Sequence, residues 1–119
     1  MSNENILRAY DPERQFEQLE KASDKAAEAV YKEFLLSETA KILFSQLVVE
    51  HAVNKKVSIA QAEHRARSDK KYENHINGLA VAKKELFRAR ATYENLRALA
   101  EARRTQETSA RYVRGDIDK

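Results

Sequence analysis

LAVAKKELFRARATYENLRALAEARRTQETSARYVR, residues Leu79 to Arg114, decides how this chain folds. Apolar or small residues recur there at Leu79, Ala82, Leu86, Ala89, Tyr93, Leu96 and Ala100. Steps of three and then four hold one seam of a helix against a partner helix, as in a coiled coil. Around that seam stand nine Lys or Arg (Lys83, Lys84, Arg88, Arg90, Arg97, Arg103, Arg104, Arg111, Arg114) against four Glu (Glu85, Glu94, Glu101, Glu107). One helix thus offers a packing seam and a basic exterior, the pattern of a helical binding protein with a polyanionic partner.

Upstream, Asp11 and Pro12 read as an N-cap and a first helical position, because Asp accepts from free amides and Pro lacks the donor that would go unpaired. Nothing then breaks a helix over 12–54, in which Phe16, Leu19, Ala26, Val30, Phe34, Ala40, Leu43, Leu47 and Val48 recur. The second half of that run adds Leu35, Leu36, Ile42, Phe44 and Val49, so apolar residues surround more than one side. One companion helix cannot cover such a surface. Phe34, Leu35, Ile42, Leu43, Phe44, Leu47 and Val48 are therefore expected at the interface of a homo-oligomer.

Ser58-Ile59-Ala60-Gln61 matches a capping box and predicts a short helix over 59–68. Ser68-Asp69 offers a second cap, with a long helix over 70–112; the alternative is an unbroken helix running through both residues. Gly78 is expected to mark a bend or a close helix approach. Residues 1–10, with Ile6, Leu7 and Tyr10, read as a frayed arm and 113–119 as a tail.

The composition supports this outline. Of 119 residues only two are Gly and one is Pro, and 34% are charged. One helical domain is expected, with a core small for the length. Without Cys there are no disulfides, thiolate zinc sites or cysteine nucleophiles. No apolar run reaches the ~20 residues of a membrane span and no secretory signal opens the chain, so a cytoplasmic protein is expected. The net charge of +3 is modest, but it is unevenly placed: residues 12–50 hold five basic and eight acidic residues, and residues 51–71 hold six and two. That contrast favours antiparallel pairing of the long helices. The expected fold is all-α: a long antiparallel helical hairpin of coiled-coil type, with a short helix at the junction, assembling as a homo-oligomer.

A search for catalytic groups yields little. His51, His64 and His75 lack the neighbours of H-E-x-x-H or E-x-x-H sites, and two isolated glycines make no phosphate loop. Neither enzymatic activity nor a metal or other cofactor is expected. Lys55, Lys56, Arg65, Arg67, Lys70 and Lys71, by contrast, gather six cations at the junction with only Glu63 and Asp69 to offset them. Cations and helix N-termini both favour phosphate, and Tyr72 just beyond can stack on an unpaired base. The competing account is a solvated basic loop with Tyr72 in the seam. Arg88, Arg90 and Arg97 are open to pairing with Glu85, Glu94 and Glu101, whereas Arg103, Arg104, Arg111 and Arg114 lack matching carboxylates. No compact helix-turn-helix is present, so any nucleic-acid contact is expected to fall on phosphates, chiefly of single strands.

Arg65-Ala66-Arg67-Ser68-Asp69 followed by Tyr72 resembles the Lys-Ala-Arg-x-Asp-Tyr-Tyr motif of the UvsY family, small helical recombination mediators of phages. Arg65 stands at the motif's Lys and Lys70 at its first Tyr. The resemblance implies an oligomer that binds single-stranded DNA, helps displace a single-strand binding protein and loads a recombinase or annealing protein. Arg65 and Arg67 then correspond to the motif's DNA-contacting pair. The competing class is a structural or adaptor coiled coil, for example in virion assembly or scaffolding, whose basic face meets an acidic protein.

Overall fold

Asp11 turns the chain into its first helix by the capping chemistry its sequence suggests. Its Oδ1 accepts the Glu13 and Arg14 amides at 3.0 and 3.4 Å, and its carbonyl accepts the Gln15 amide at 2.9 Å. The computed structural model describes residues 11–113. Within them α1 spans Pro12–Lys55, α2 Ile59–Ser68 and α3 Lys70–Val113, with no strand. The arm at 1–10, with Ile6, Leu7 and Tyr10, and the end of the chain from Arg114, with Gly115, lie outside the described residues.

The two interruptions have local causes. α1 stops where Lys56 takes a left-handed φ of 51°, a conformation that side chains with a Cβ adopt at a cost of roughly 1–2 kcal/mol. Ser58 then opens α2, its Oγ accepting the Gln61 amide at 3.2 Å. Asp69, extended at φ −68° and ψ 134°, separates α2 from α3. The short helix is therefore distinct from the long one that follows, which settles the alternative left open by Ser68-Asp69.

The described residues divide into two compact units, one of Ala27–Arg88 and one formed by the chain before and after it. In the first, partners of α1 residues move backwards along α3. Lys32 Nζ meets Glu85 Oε2 at 3.2 Å, Thr39 meets His75 at 3.0 Å, and the Phe44 and Tyr72 rings lie 5.4 Å apart. That order makes an antiparallel hairpin. In the second unit a groove runs between Phe16, Leu19 and Ser23 on α1 and Tyr93, Arg97 and Ala100 on α3. Toward its outer end Pro12 and Gln15 face Arg104 and Glu107, again antiparallel.

Small residues fill the hairpin. Ala22, Ala40, Ala82 and Ala89 are buried along the long helices, Ala62 and Ala66 on α2, and Leu47 is the large side chain packed most fully. Phe16, Val30 and Phe34, which belong to the recurring apolar positions of α1, point away from the hairpin and are exposed. The inward face follows Leu19, Ala22, Ala26, Ala29, Leu36, Ala40, Leu43 and Leu47, buried or half-buried in turn. A helix pair can approach closely only where side chains are short, so packing selects the alanines over the aromatics.

Gly78 marks no close approach. It lies within α3, and a Cβ built there meets nothing within 4 Å. With the space open, only the backbone entropy of glycine remains to be removed. Gly78→Ala should raise unfolding stability by about 1 kcal/mol in urea denaturation; a loss of stability would show that the position needs glycine after all.

Candidate nucleic-acid interface

The junction is held by Asp69, which makes bonds to each of its neighbours. Its Oδ1 accepts the Lys71 amide at 2.9 Å, its carbonyl accepts the Glu73 amide at 3.0 Å, and its own amide donates to the Ala66 carbonyl at 3.2 Å. Its Oδ2 lies 3.0 Å from His51 Nε2, near the end of α1. A carboxylate there can only accept, so Nε2 carries the hydrogen. One side chain thus caps α3 and ties it to α1. The Asp69 carboxyl is held below the usual carboxylate range, first by the Lys71 amide and then by the His51 bond. At this N-terminus the place that would favour a phosphate is filled from within the chain.

A second polar link lies deeper in the hairpin. His75 Nε2 sits 3.0 Å from both the Leu36 carbonyl and Thr39 Oγ1. A carbonyl only accepts, so this nitrogen also carries its hydrogen, and the Thr39 hydroxyl is left to donate to the carbonyls of Leu35 or Leu36. His51 and His75 are therefore structural, and among the described residues no cluster of three or more His, Cys, Asp or Glu is placed to hold a metal ion.

Around the Asp69 latch the six junction cations all reach solvent. Lys55, Lys56 and Arg65 form no ion pair among the described residues, and Lys71 forms none within 4 Å although its charge helps hold the Asp69 carboxyl low, whereas Lys70 pairs with Glu73 at 3.8 Å. Arg67 is partly occupied, its guanidinium carbon lying 5.5 Å from the centre of the Phe44 ring. The same ring meets Tyr72 at a tilt of 52°. Tyr72 is half-buried and packs as a seam residue, so its contact with Phe44 competes with the base stacking expected of it. Arg65 and Arg67 are two apart on α2 and splay to either side of buried Ala66, about 100° per residue. They flank the helix rather than share one face.

Along α3 the outcome is mixed. Arg88, Arg90 and Arg97 are exposed and show no ion pair with Glu85, Glu94 or Glu101; Glu85 is taken by Lys32 instead. Arg104 and Arg111 are exposed, with Arg104 on the wall of the groove beside Phe16. Arg103 corrects the expectation for the late arginines, because it is only 5% exposed and is engaged by other residues of the chain. Its signal was present in the sequence. Three residues beyond Ala100, it continues the seam spacing, and a cation at such a position must be paired inside the fold.

The apolar set assigned to an oligomer interface also divides. Leu47 is buried within its own hairpin and Leu43, Phe44 and Val48 are half-buried, while Phe34, Leu35 and Ile42 stand exposed. Among the described residues no helix is long and apolar enough to cross a membrane. Compared with known families, with curated proteins and with solved structures, the chain matches none.

Because the folded Asp69 carboxyl is depressed, the stability it adds is complete above the ordinary carboxylate range and is lost as pH falls from that range through the lower folded value. Asp69→Asn keeps a cap acceptor and removes the charge. Between about pH 5 and about pH 3 its melting temperature, followed by circular dichroism, should fall less than that of the parent. Equal falls would mean that the latch does not depend on the charge.

Proposed function

We propose that this protein binds the phosphate backbone of single-stranded DNA through its basic junction and serves, as a homo-oligomer, to load a recombinase or annealing protein. The observation that carries the reading is the solvent-facing group of Lys55, Lys56 and Arg65, which form no ion pair among the described residues, with Lys71 exposed beside them although its charge also acts on Asp69. Solvent-facing cations gathered where three helices meet around a fixed latch attract phosphates without reading bases. The likeness of 65–72 to the mediator motif supplies the biological setting, with Arg65 in the position of its DNA-contacting Lys. Several such junctions in one oligomer would raise the effective concentration of weak sites along one strand. No bond is made or broken by the protein itself.

Fluorescence anisotropy with a labelled oligonucleotide across a salt series tests this. Binding should be strong at low salt and weaken steeply as salt rises. The double variant Arg65→Ala with Lys71→Ala should lower the slope of log affinity against log salt by about 1.4, two contacts at ~0.7 each on a single strand. Weak binding at every salt concentration would overturn the reading in favour of an acidic protein partner, and an unchanged slope would remove these two residues from the site.

A further inference from the structure

The outward side of α1 carries a second apolar stripe that the hairpin leaves uncovered. Tyr31, Leu35, Ile42, Val49 and Val53 are each between 46% and 68% exposed. At ~100° per residue they fall within an arc of about 40°, and that arc lies roughly 150° around the helix from Ala40 and Leu47. α1 therefore has two apolar faces on nearly opposite sides, and α3 occupies one of them. Leu35, Ile42 and Val49 are seven residues apart, the repeat of a coiled-coil seam, over a span of about 33 Å from Tyr31 to Val53 at ~1.5 Å per residue.

We infer that this stripe seats α1 of a second copy, antiparallel and related by a two-fold axis beside Ile42. The inference rests on the homo-oligomer part of the reading above and not on its nucleic-acid part. The stripe is complementary to itself when reversed. About Ile42, Leu35 meets Val49 of the other copy, Tyr31 meets Val53, and Ile42 meets its own counterpart, as an isologous contact requires. Charge selects the same direction. Glu38, paired with Lys41 at 3.2 Å, lies between Leu35 and Ile42 on this side of the helix; a parallel pair sets it against Glu38 of the other copy, whereas the antiparallel pair sets it against Gln46. At either end of the antiparallel seam, exposed Glu28 comes opposite the Lys55–Lys56 end of α1. Like charges are thus kept apart and opposite charges meet. The arrangement also places the two basic junctions at opposite ends of the seam, about 40 Å apart at ~1.5 Å per residue, so that one strand can meet both.

The chain has no Cys, so single cysteines report the register directly. Under mild oxidation Ile42→Cys should form a disulfide-linked dimer. Leu35→Cys and Val49→Cys should each stay unlinked alone and link when the two variants are mixed. Ile42→Glu, placed on an exposed position, should keep its helical circular dichroism and lower the mass seen by light scattering relative to the parent. A parent that is monomeric at micromolar concentration would overturn the seam, and self-linking of Leu35→Cys as efficient as that of Ile42→Cys would overturn its direction. None of these measurements uses DNA, so failure of the seam and failure of strand binding are separately visible.

Discussion

The close packing of two helices through short side chains is the constraint from which the other features follow. On α3 the inward positions run Tyr72, His75, Leu79, Ala82, Leu86, Ala89, Tyr93, Leu96, Ala100 and Arg103, every one buried or half-buried. On α1 they include Leu19, Ala22, Ala26, Ala29, Leu36, Ala40, Leu43 and Leu47. A seam that alternates steps of three and four stays on one face, and its alanines alternate there with Leu, Tyr and His. Large residues displaced from the seam must go elsewhere. Phe16, Tyr31, Phe34, Ile42, Val49 and Phe87 are accordingly on the outside. Burying a large apolar side chain gains roughly 1.5–3 kcal/mol. A fold that buries several alanines while exposing Ile42, Phe16, Phe34 and Phe87 therefore leaves hydrophobic free energy to be gained by association.

Most of this architecture was legible because it depends on period and punctuation. The near absence of Gly and Pro, the Asp11-Pro12 start and the Ser58 cap correspond to local hydrogen bonds that short stretches of sequence contain in full. The break at Asp69 was harder to read. Nothing local decides between a cap and a continuing helix there, and the structure shows His51, eighteen residues away, holding the carboxylate that makes the break. Gly78 misled for the opposite reason. A glycine in a seam-bearing helix suggests contact, yet its position lies off the seam in open space.

The interface residues were less legible, and the same spacing explains why. Counting from Leu79 back to Tyr72 and forward to Arg103 gives unbroken steps of three and four, so both residues belong to the packing face by the rule that identified the face itself. Composition called them an aromatic near a basic cluster and a late cation; periodicity gives them to the interior. The helix-face apolar set divides for a related reason. Residue type marks Phe34 and Leu47 as equivalent, but only register separates the inward Leu47 from the outward Phe34.

The short motif at the junction is therefore weighed differently once its surroundings are known. Ala66 is fully buried on α2, Asp69 caps α3 and binds His51, and Tyr72 packs on Phe44. Each of these identities follows from folding alone, so their likeness to a mediator motif carries information about architecture before it carries any about a ligand. Arg65 is different: it faces water, pairs with no carboxylate among the described residues and takes no part in the bonds Asp69 makes. An arginine so placed keeps its side-chain freedom and its charge available for a phosphate. Strand binding as proposed therefore falls to Arg65 and the lysines around it, while Ala66, Asp69 and Tyr72 are engaged in the fold.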